Sequence, residues 1–428
     1  MKSPKLSFDA LRAFVDNLPD DGLAASRQAA LEHLHKNGLP TTGDEDWKYT
    51  DLTMIVDIGN RWLEGQGQQP LPAEIGGTVD EICSSIDADW LIVLGGQIDE
   101  RSLAEFSPSG VSIRRLTESA NDLLFDAPLS DLNTALLQDG LRIRVDGDAA
   151  LRRPIGILVI DDAMAGAVMS QIRIEIEVMA SGSASFVEYH ASTGSADSYT
   201  NSVTSLDLGD GSCADYVRIQ DRALHHNHTS RLAVTTGQDS AFNHCAFDLG
   251  GRMIRNDIAI DITEPGGQIA FDGLYLVGDG QHVDNHTRAD HRVGPAESHQ
   301  EYRGILTGKA RGVWNGKAIV HQGADGTDAE QANHNLLLSD NAEVDAKPEL
   351  EIYADDVKCS HGTTVGQLDE TSLFYLRTRG LSEHEAKQVL TRAFAQAIVS
   401  KSPISSIHDM LAEKISQRLG ELMHGADA

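Results

Sequence analysis

Ile172-Arg173-Ile174-Glu175-Ile176-Glu177-Val178 alternates apolar and charged side chains, the period of a strand with one buried face. Working outward, the same rhythm appears at Leu141, Ile143 and Val145, at Ile155, Ile157 and Val159, and at Ile258, Ile260 and Ile262. Turn signals punctuate it: Gly209-Asp210-Gly211, Gly250-Gly251, Gly266-Gly267 and Gly278-Asp279-Gly280. With no helical crossover between about 150 and 340, the strands must close as a sandwich, a barrel or a coiled solenoid. Periodicity does not choose among the three, and no strict short repeat is visible.

The flanks have a different texture. Ser7 reads as an N-cap ahead of Phe8, Leu11, Val15 and Leu18 at helical spacing. A second helix should reach about Asn37, where Gly38 fits the position after a helix end and Pro40 blocks continuation. Between these helices and the strands, Glu45-Asp46-Trp47-Lys48-Tyr49-Thr50-Asp51-Leu52 fits neither period. After Lys347-Pro348 the pattern turns helical again. Ser382-x-x-Glu385 is a capping box, followed by Ala386, Val389, Leu390, Phe394 and Ala397 on one face. Ile407, Leu411, Ile415, Leu419 and Leu422 form a further stripe, and such stripes usually pack internally. The expected organisation is an N-terminal helical domain over 1–88, a β core over 89–347 and a C-terminal helical domain over 348–428.

Composition narrows the function classes. The 428 residues carry 35 basic and 65 acidic side chains, a formal net charge of -30 that disfavours nucleic acid and anionic membrane surfaces as partners. The N-terminal stretch Met1 to Leu6 lacks an apolar secretion core, and no segment reaches spanning length, so a cytoplasmic protein is expected. Cys83, Cys213, Cys245 and Cys359 are too scattered for a disulfide framework or a zinc ribbon. Without an export signal, the sequons at Asn227 and Asn285 carry no meaning.

No phosphate-cradling loop is present: Gly312-Val313-Trp314-Asn315-Gly316-Lys317-Ala318 has the wrong spacing. Any ATP would be hydrolysed by a partner. Serine hydrolase and zincin motifs are missing too. Histidine is the abundant candidate ligand. His225-His226-Asn227-His228 reads as an exposed loop or edge, and His282, His286, His291 and His299 as a segment of ion pairs. A metal-dependent β-fold enzyme using these clusters is the alternative reading. A carbohydrate-binding or lyase β-helix is disfavoured by 5% aromatic content. The sharper constellation is Lys358-Cys359-Ser360-His361-Gly362, because Cys359 and His361 share one side of an extended chain and could touch one metal or sulfur atom. The neighbouring Lys358 would favour the thiolate. Two ligands leave a metal or cluster site incomplete, so a second chain would be needed.

The stretch from Lys358 through Gly362-Thr363-Thr364-Val365-Gly366-Gln367-Leu368-Asp369-Glu370 and on through Leu373-Phe374-Tyr375-Leu376-Arg377-Thr378-Arg379-Gly380-Leu381 closely resembles the C-terminal signature of the SufB/SufD family, in its SufD branch. Agreement extends to Gly38-Leu39-Pro40, to Asp44 through Leu52, to Leu132-Asn133-Thr134-Ala135 and to Arg303-Gly304, and so over nearly the whole chain. SufB is the nearest confusion, and the Cys359–His361 and Trp47-Lys48-Tyr49 segments fit SufD better. The resemblance implies a mainly β protein, a right-handed parallel β-helix flanked by N- and C-terminal α-helical domains. It implies a non-enzymatic scaffold of iron–sulfur cluster assembly, with a SufB-like subunit paired through the β-helix and a SufC-like ATPase on the C-terminal helices. A homodimer of the isolated chain is left open. Carried over by residue, Cys359 and His361 would sit at the SufB interface, holding a transient Fe–S cluster or iron, with none bound tightly by the chain alone. Leu368, Leu373, Phe374, Tyr375, Leu376, Arg379 and Gly380 would form the ATPase dock.

Overall fold

The computed structural model describes residues 5–65, 75–117, 128–164 and 166–426. Met1 to Pro4 of the N-terminal stretch weighed above lie outside them. Four helices, α1 (Phe8–Asp16), α2 (Ala24–Asn37), α3 (Thr53–Glu64) and α4 (Gly76–Ser85), precede β1 (Asp89–Leu94) and β2 (Gln97–Ile98). Next come α5 (Glu100–Glu105), β3 (Val111–Arg115) and α6 (Pro128–Leu136). Strands alone follow: β4 (Gly140–Val145), β5 (Ile155–Ala163), β6 (Val168–Val178), β7 (Ser183–Gly194), β8 (Ser198–Leu208), β9 (Cys213–Asp221), β10 (His226–Thr236) and β11 (Ala241–Asp248). The run continues with β12 (Met253–Ile262), β13 (Gln268–Val277), β14 (His282–His291), β15 (Glu297–Leu306), β16 (Arg311–Val320), β17 (Asp328–Leu337), β18 (Glu343–Ile352) and β19 (Lys358–Gly366). The chain closes with α7 (Glu370–Thr378), α8 (Glu383–Val399) and α9 (His408–Ala426).

Each strand from β6 onward pairs in parallel with the strand two before it, so odd and even strands build two separate sheets. That is a parallel β-solenoid of about eight turns, which settles the choice periodicity left open. Stacked strands bring equivalent residues into columns. One inward column runs Ile155, Phe186, Tyr216, His244, Phe271, Gln300, Gln331 and His361 in register. Corners between the sheets use left-handed backbone: Gly251 has φ +80° and Gly266 φ +82°, conformations that only glycine takes without strain.

The helices cover the outer faces. Against the odd-strand sheet pack Ala395, Ile398, Ile407, Leu411, Ile415, Leu419 and Leu422, burying Val187, Val217, Phe247 and Leu274 beneath them. The last stripe of the sequence therefore packs internally. In α8 the buried face is Ala386, Thr391, Ala395, Ile398 and Val399, turned away from the expected one, and Val389 is exposed. The capping box at Ser382 and Glu385 is formed.

Over the even-strand sheet, α6 sits among α1–α3, so the helical cluster draws on chain beyond the first strand. Asn133 is fully buried there, donating to the carbonyls of Ile172 (3.0 Å) and Asn201 (2.9 Å) and accepting from Arg173 Nε (3.1 Å). The segment that fitted neither period is a clasp on the same sheet. Arg255 lies over the Trp47 ring at 4.4 Å and donates to the Asp46 carbonyl at 2.8 Å. Thr50 Oγ1 donates to Asp284 Oδ2 at 2.5 Å.

Two sequence expectations are corrected. Helix does not begin after Lys347-Pro348: β18 and β19 carry the solenoid on to Gly366. Pro348 is tolerated because β18 is a terminal strand, paired on one side only, with β16. Nor is His225-His226-Asn227-His228 an exposed loop. His226, Asn227 and His228 are buried on β10, since stacked neighbours satisfy them: His226 Nε2 meets the Ala196 carbonyl and His228 Nε2 meets Ser202 Oγ, each at 3.0 Å.

Candidate functional site

Cys359 and His361 lie on β19, the last strand of the odd sheet. Register places Cys359 over Ala329 and His361 over Gln331, both buried inward residues. The pair therefore belongs to the inward columns, and no further strand stacks above it. Cys359 is half-buried and His361 exposed, at the open C-terminal mouth of the solenoid. Two residues of strand separate their Cα atoms by about 7 Å, with both side chains on one face.

Lys358 does not activate the thiol. It points to the opposite face, as adjacent strand residues must, and stands in register with Asp328. The Cys359 thiol is pushed above its ordinary value by burial, lowered in part by the Ala329 backbone and raised by the Asp328 carboxylate. It is protonated at neutral pH, and a metal would have to displace the proton. Among the described residues, no group of three or more His, Cys, Asp or Glu is placed to hold a metal ion. Cys359 and His361 alone would leave a tetrahedral ion two donors short.

The mouth is flanked by two unpaired sheet edges, those of β18 and β19. Ile352, Tyr353 and Val365 are exposed beside them. Unpaired edges with apolar neighbours favour pairing with another chain.

The buried histidines of the two clusters are used internally. His286 Nε2 stands 3.1 Å from Asp284, and Arg255 pairs with Asp284 across the strands at 2.6 Å, which is the ion pairing read from the segment. His282 contacts Thr50 at 2.8 Å and His291 contacts Ser298 at 2.8 Å. Burial holds His226 down to about 4 and His244 to about 3, so both stay neutral. The sequence reading missed their inward placement, although their position in runs of alternating strand residues was a usable signal.

In the expected docking segment, α7 buries none of its residues. Phe374 is 68% and Tyr375 55% exposed, with Arg379 stacked on the Tyr375 ring at 5.1 Å. Leu368, Leu373 and Leu376 are half-buried on the other side. Gly380, at φ +97°, turns the chain into α8.

The chain matches the family model described as SUF system FeS cluster assembly, SufBD core domain, over residues 159–394, and the SufBD protein N-terminal region over residues 6–157. It is 28% identical to the iron–sulfur cluster assembly protein SufD of Escherichia coli, covering 96% of this chain and 97% of that protein. An iron–sulfur cluster assembly SufBD family protein of Synechocystis is also 28% identical, over 95% and 93% of the two chains. One from Mycobacterium tuberculosis (strain H37Rv) is 30% identical over 68% and 72%. With both family regions matched nearly end to end, this chain belongs to the SufBD family of iron–sulfur cluster assembly proteins.

Proposed function

We propose that this protein is a cytoplasmic, non-catalytic scaffold subunit that offers Cys359 and His361 as part of a cluster-building site shared with a SufB-like partner. The observation that carries the reading is the placement of one thiol and one imidazole at the open mouth, between two unpaired edges, with no group of three metal-binding side chains among the described residues. Pairing along β18 and β19 would bring a partner's ligands over the mouth. Iron and sulfide are then cargo: the chain supplies donor atoms and a rigid platform, and the Cys359 proton leaves as the metal binds. The exposed ring pair on α7 is the dock for a SufC-like ATPase, whose nucleotide cycle would supply the work that this chain has no motif to perform.

The test is co-expression with SufB- and SufC-like subunits, followed by iron and acid-labile sulfide analysis. The His361→Ala complex should assemble normally and hold at least about tenfold less cluster, as expected for loss of a ligand. A lone chain that carries stoichiometric metal, or a complex indifferent to His361, would overturn the reading.

A further inference from the structure

The two open edges at the mouth differ in kind. On β18, Val344, Ala346, Pro348 and Leu350 stand in register with Gly312, Trp314, Gly316 and Ala318, and Trp314 belongs to the inner core, so these residues face inward. The side chains between them face outward: Glu343, Asp345, Lys347, Glu349 and Glu351, every one charged. On β19 the outward residues are Lys358, Ser360, Gly362, Thr364 and Gly366, with one charge among them. The backbone differs as well. On β18 the Glu343 N–H donates to the Ala310 carbonyl at 2.9 Å and the Tyr353 N–H to the Val320 carbonyl at 2.8 Å. Backbone groups alternate sides along a strand, so the odd residues bond β16 and the even ones face the free edge. Pro348 is one of the even residues, so its missing N–H costs β16 nothing and leaves a gap at the centre of the edge. The free donors are those of Val344, Ala346, Leu350 and Ile352, two on each side of the gap.

The charges on β18 are incompletely matched. Arg311 pairs with Asp345 at 2.9 Å, and Lys317 pairs with Glu351 at 2.6 Å and Glu349 at 3.9 Å. Lys347 pairs with Glu349 and, at 2.9 Å, with Glu45 of the clasp. The four carboxylates of β18 and that of Glu45 thus share three cations, all from β16 or from β18 itself. Glu343 is exposed, and no ion pair among the described residues holds it. Outward neighbours on a strand are about 7 Å apart, inside the screening length of about 8 Å at physiological salt. A strand arriving at the free edge therefore meets their combined negative field.

We propose that β18 is a charge-selective docking edge, built for a partner strand whose outward face is basic on both sides of an acidic or neutral centre. The partner itself rests on the shared-site reading above; the selectivity is a property of this edge. In the next place of a continued sheet, about 4.8 Å away, Lys or Arg side chains would stand against Glu343 and Asp345 on one side and against Glu349 and Glu351 on the other. Opposite charges across paired strands are favourable and like charges unfavourable. A second copy of this chain, meeting the edge antiparallel about Lys347, would set acid on acid at four positions and Lys347 on itself. A basic strand is therefore preferred over self-pairing, and the preference comes from repulsion as much as from attraction. The same charges, with Pro348, keep the unoccupied edge from pairing at random.

The test uses the full-length chain and a full-length SufB-like partner. Glu343→Lys reverses a charge that no ion pair holds, and Glu64→Lys, at the exposed end of α3, is the control with the same change in net charge. At low salt, Glu343→Lys should slow association and weaken binding by about fivefold or more, whereas Glu64→Lys should change either by less than about twofold. Glu343→Gln should fall between wild type and Glu343→Lys, and added salt should narrow all three differences. Hydrogen exchange in the complex separates the two readings. If β18 is protected by the partner and the Glu343 variants bind no differently from the control, the charge selectivity is overturned and the shared site stands. If β18 stays open in the complex, both are overturned.

Discussion

At the scale of single residues, a buried polar group that is paired cannot lose its partner cheaply. Asp284 is fully enclosed between Arg255, Thr50 and His286. Asp284→Ala leaves the buried Arg255 guanidinium with Asp257 as its one carboxylate and the Asp46 carbonyl, and we expect a loss of about 3 kcal/mol in urea unfolding at pH 7; a loss under about 1 kcal/mol would mean the clasp matters little. The buried histidines set the pH response. An unfolded imidazole protonates near pH 6.5, whereas burial keeps His244 neutral down to about 3 and holds His228 well below its ordinary value. Between those limits the unfolded chain binds more protons. The stability they confer is therefore complete above pH 6.5 and falls as the pH drops, by about 2 kcal/mol for each histidine at pH 5. Unfolding midpoints at pH 7 and pH 5 check this, and His244→Gln should remove its own share of the difference.

At the scale of elements, α7 is the exception among the helices, since it contributes nothing to the buried core. Replacing Phe374 and Tyr375 with alanine should therefore shift stability by no more than about 0.5 kcal/mol while abolishing capture of a SufC-like ATPase. A double variant that still binds the ATPase would move the dock elsewhere. Helices were legible in the sequence because their signals are local: Ser7 and Ser382 cap as expected, and Gly38 ends α2 at φ +73°. Strands were legible for the same reason wherever one face was apolar, as at Ile172 to Val178. What failed were places governed by distant stacking. Pro348 reads as a break until β18 is known to have a neighbour on one side only. His226 and His228 read as exposed until the turns above and below are in place to bond them. Of the site, the shared side of Cys359 and His361 was readable from their spacing. Their position over Ala329 and Gln331 was not, because register lies between strands that are thirty residues apart.

At the scale of the whole molecule, the solenoid is nearly one-dimensional: each turn touches the turns beside it, so its resistance to opening falls toward an uncovered end. The helices make the gradient steeper. On the odd-strand sheet α8 and α9 lie over the middle turns, burying Val217, Phe247 and Leu274, and the clasp holds β12 and β14 from the other side. The mouth has no such helix cover, the clasp reaches it only through the exposed Glu45–Lys347 pair on β18, and β18 and β19 each keep one edge open. In the isolated chain, hydrogen exchange should therefore be fastest, among the strands, in β18 and β19 and slowest around β9 to β13. A SufB-like partner that pairs along those edges supplies the missing hydrogen bonds, so protection in β18 and β19 should rise by at least about tenfold on its addition, with the middle turns unchanged. Protection that appears on α8 or the middle strands while the terminal pair stays open would place the partner on a side face. The Cys359–His361 mouth would then be left facing water, and the shared-site reading would lose the geometry it depends on.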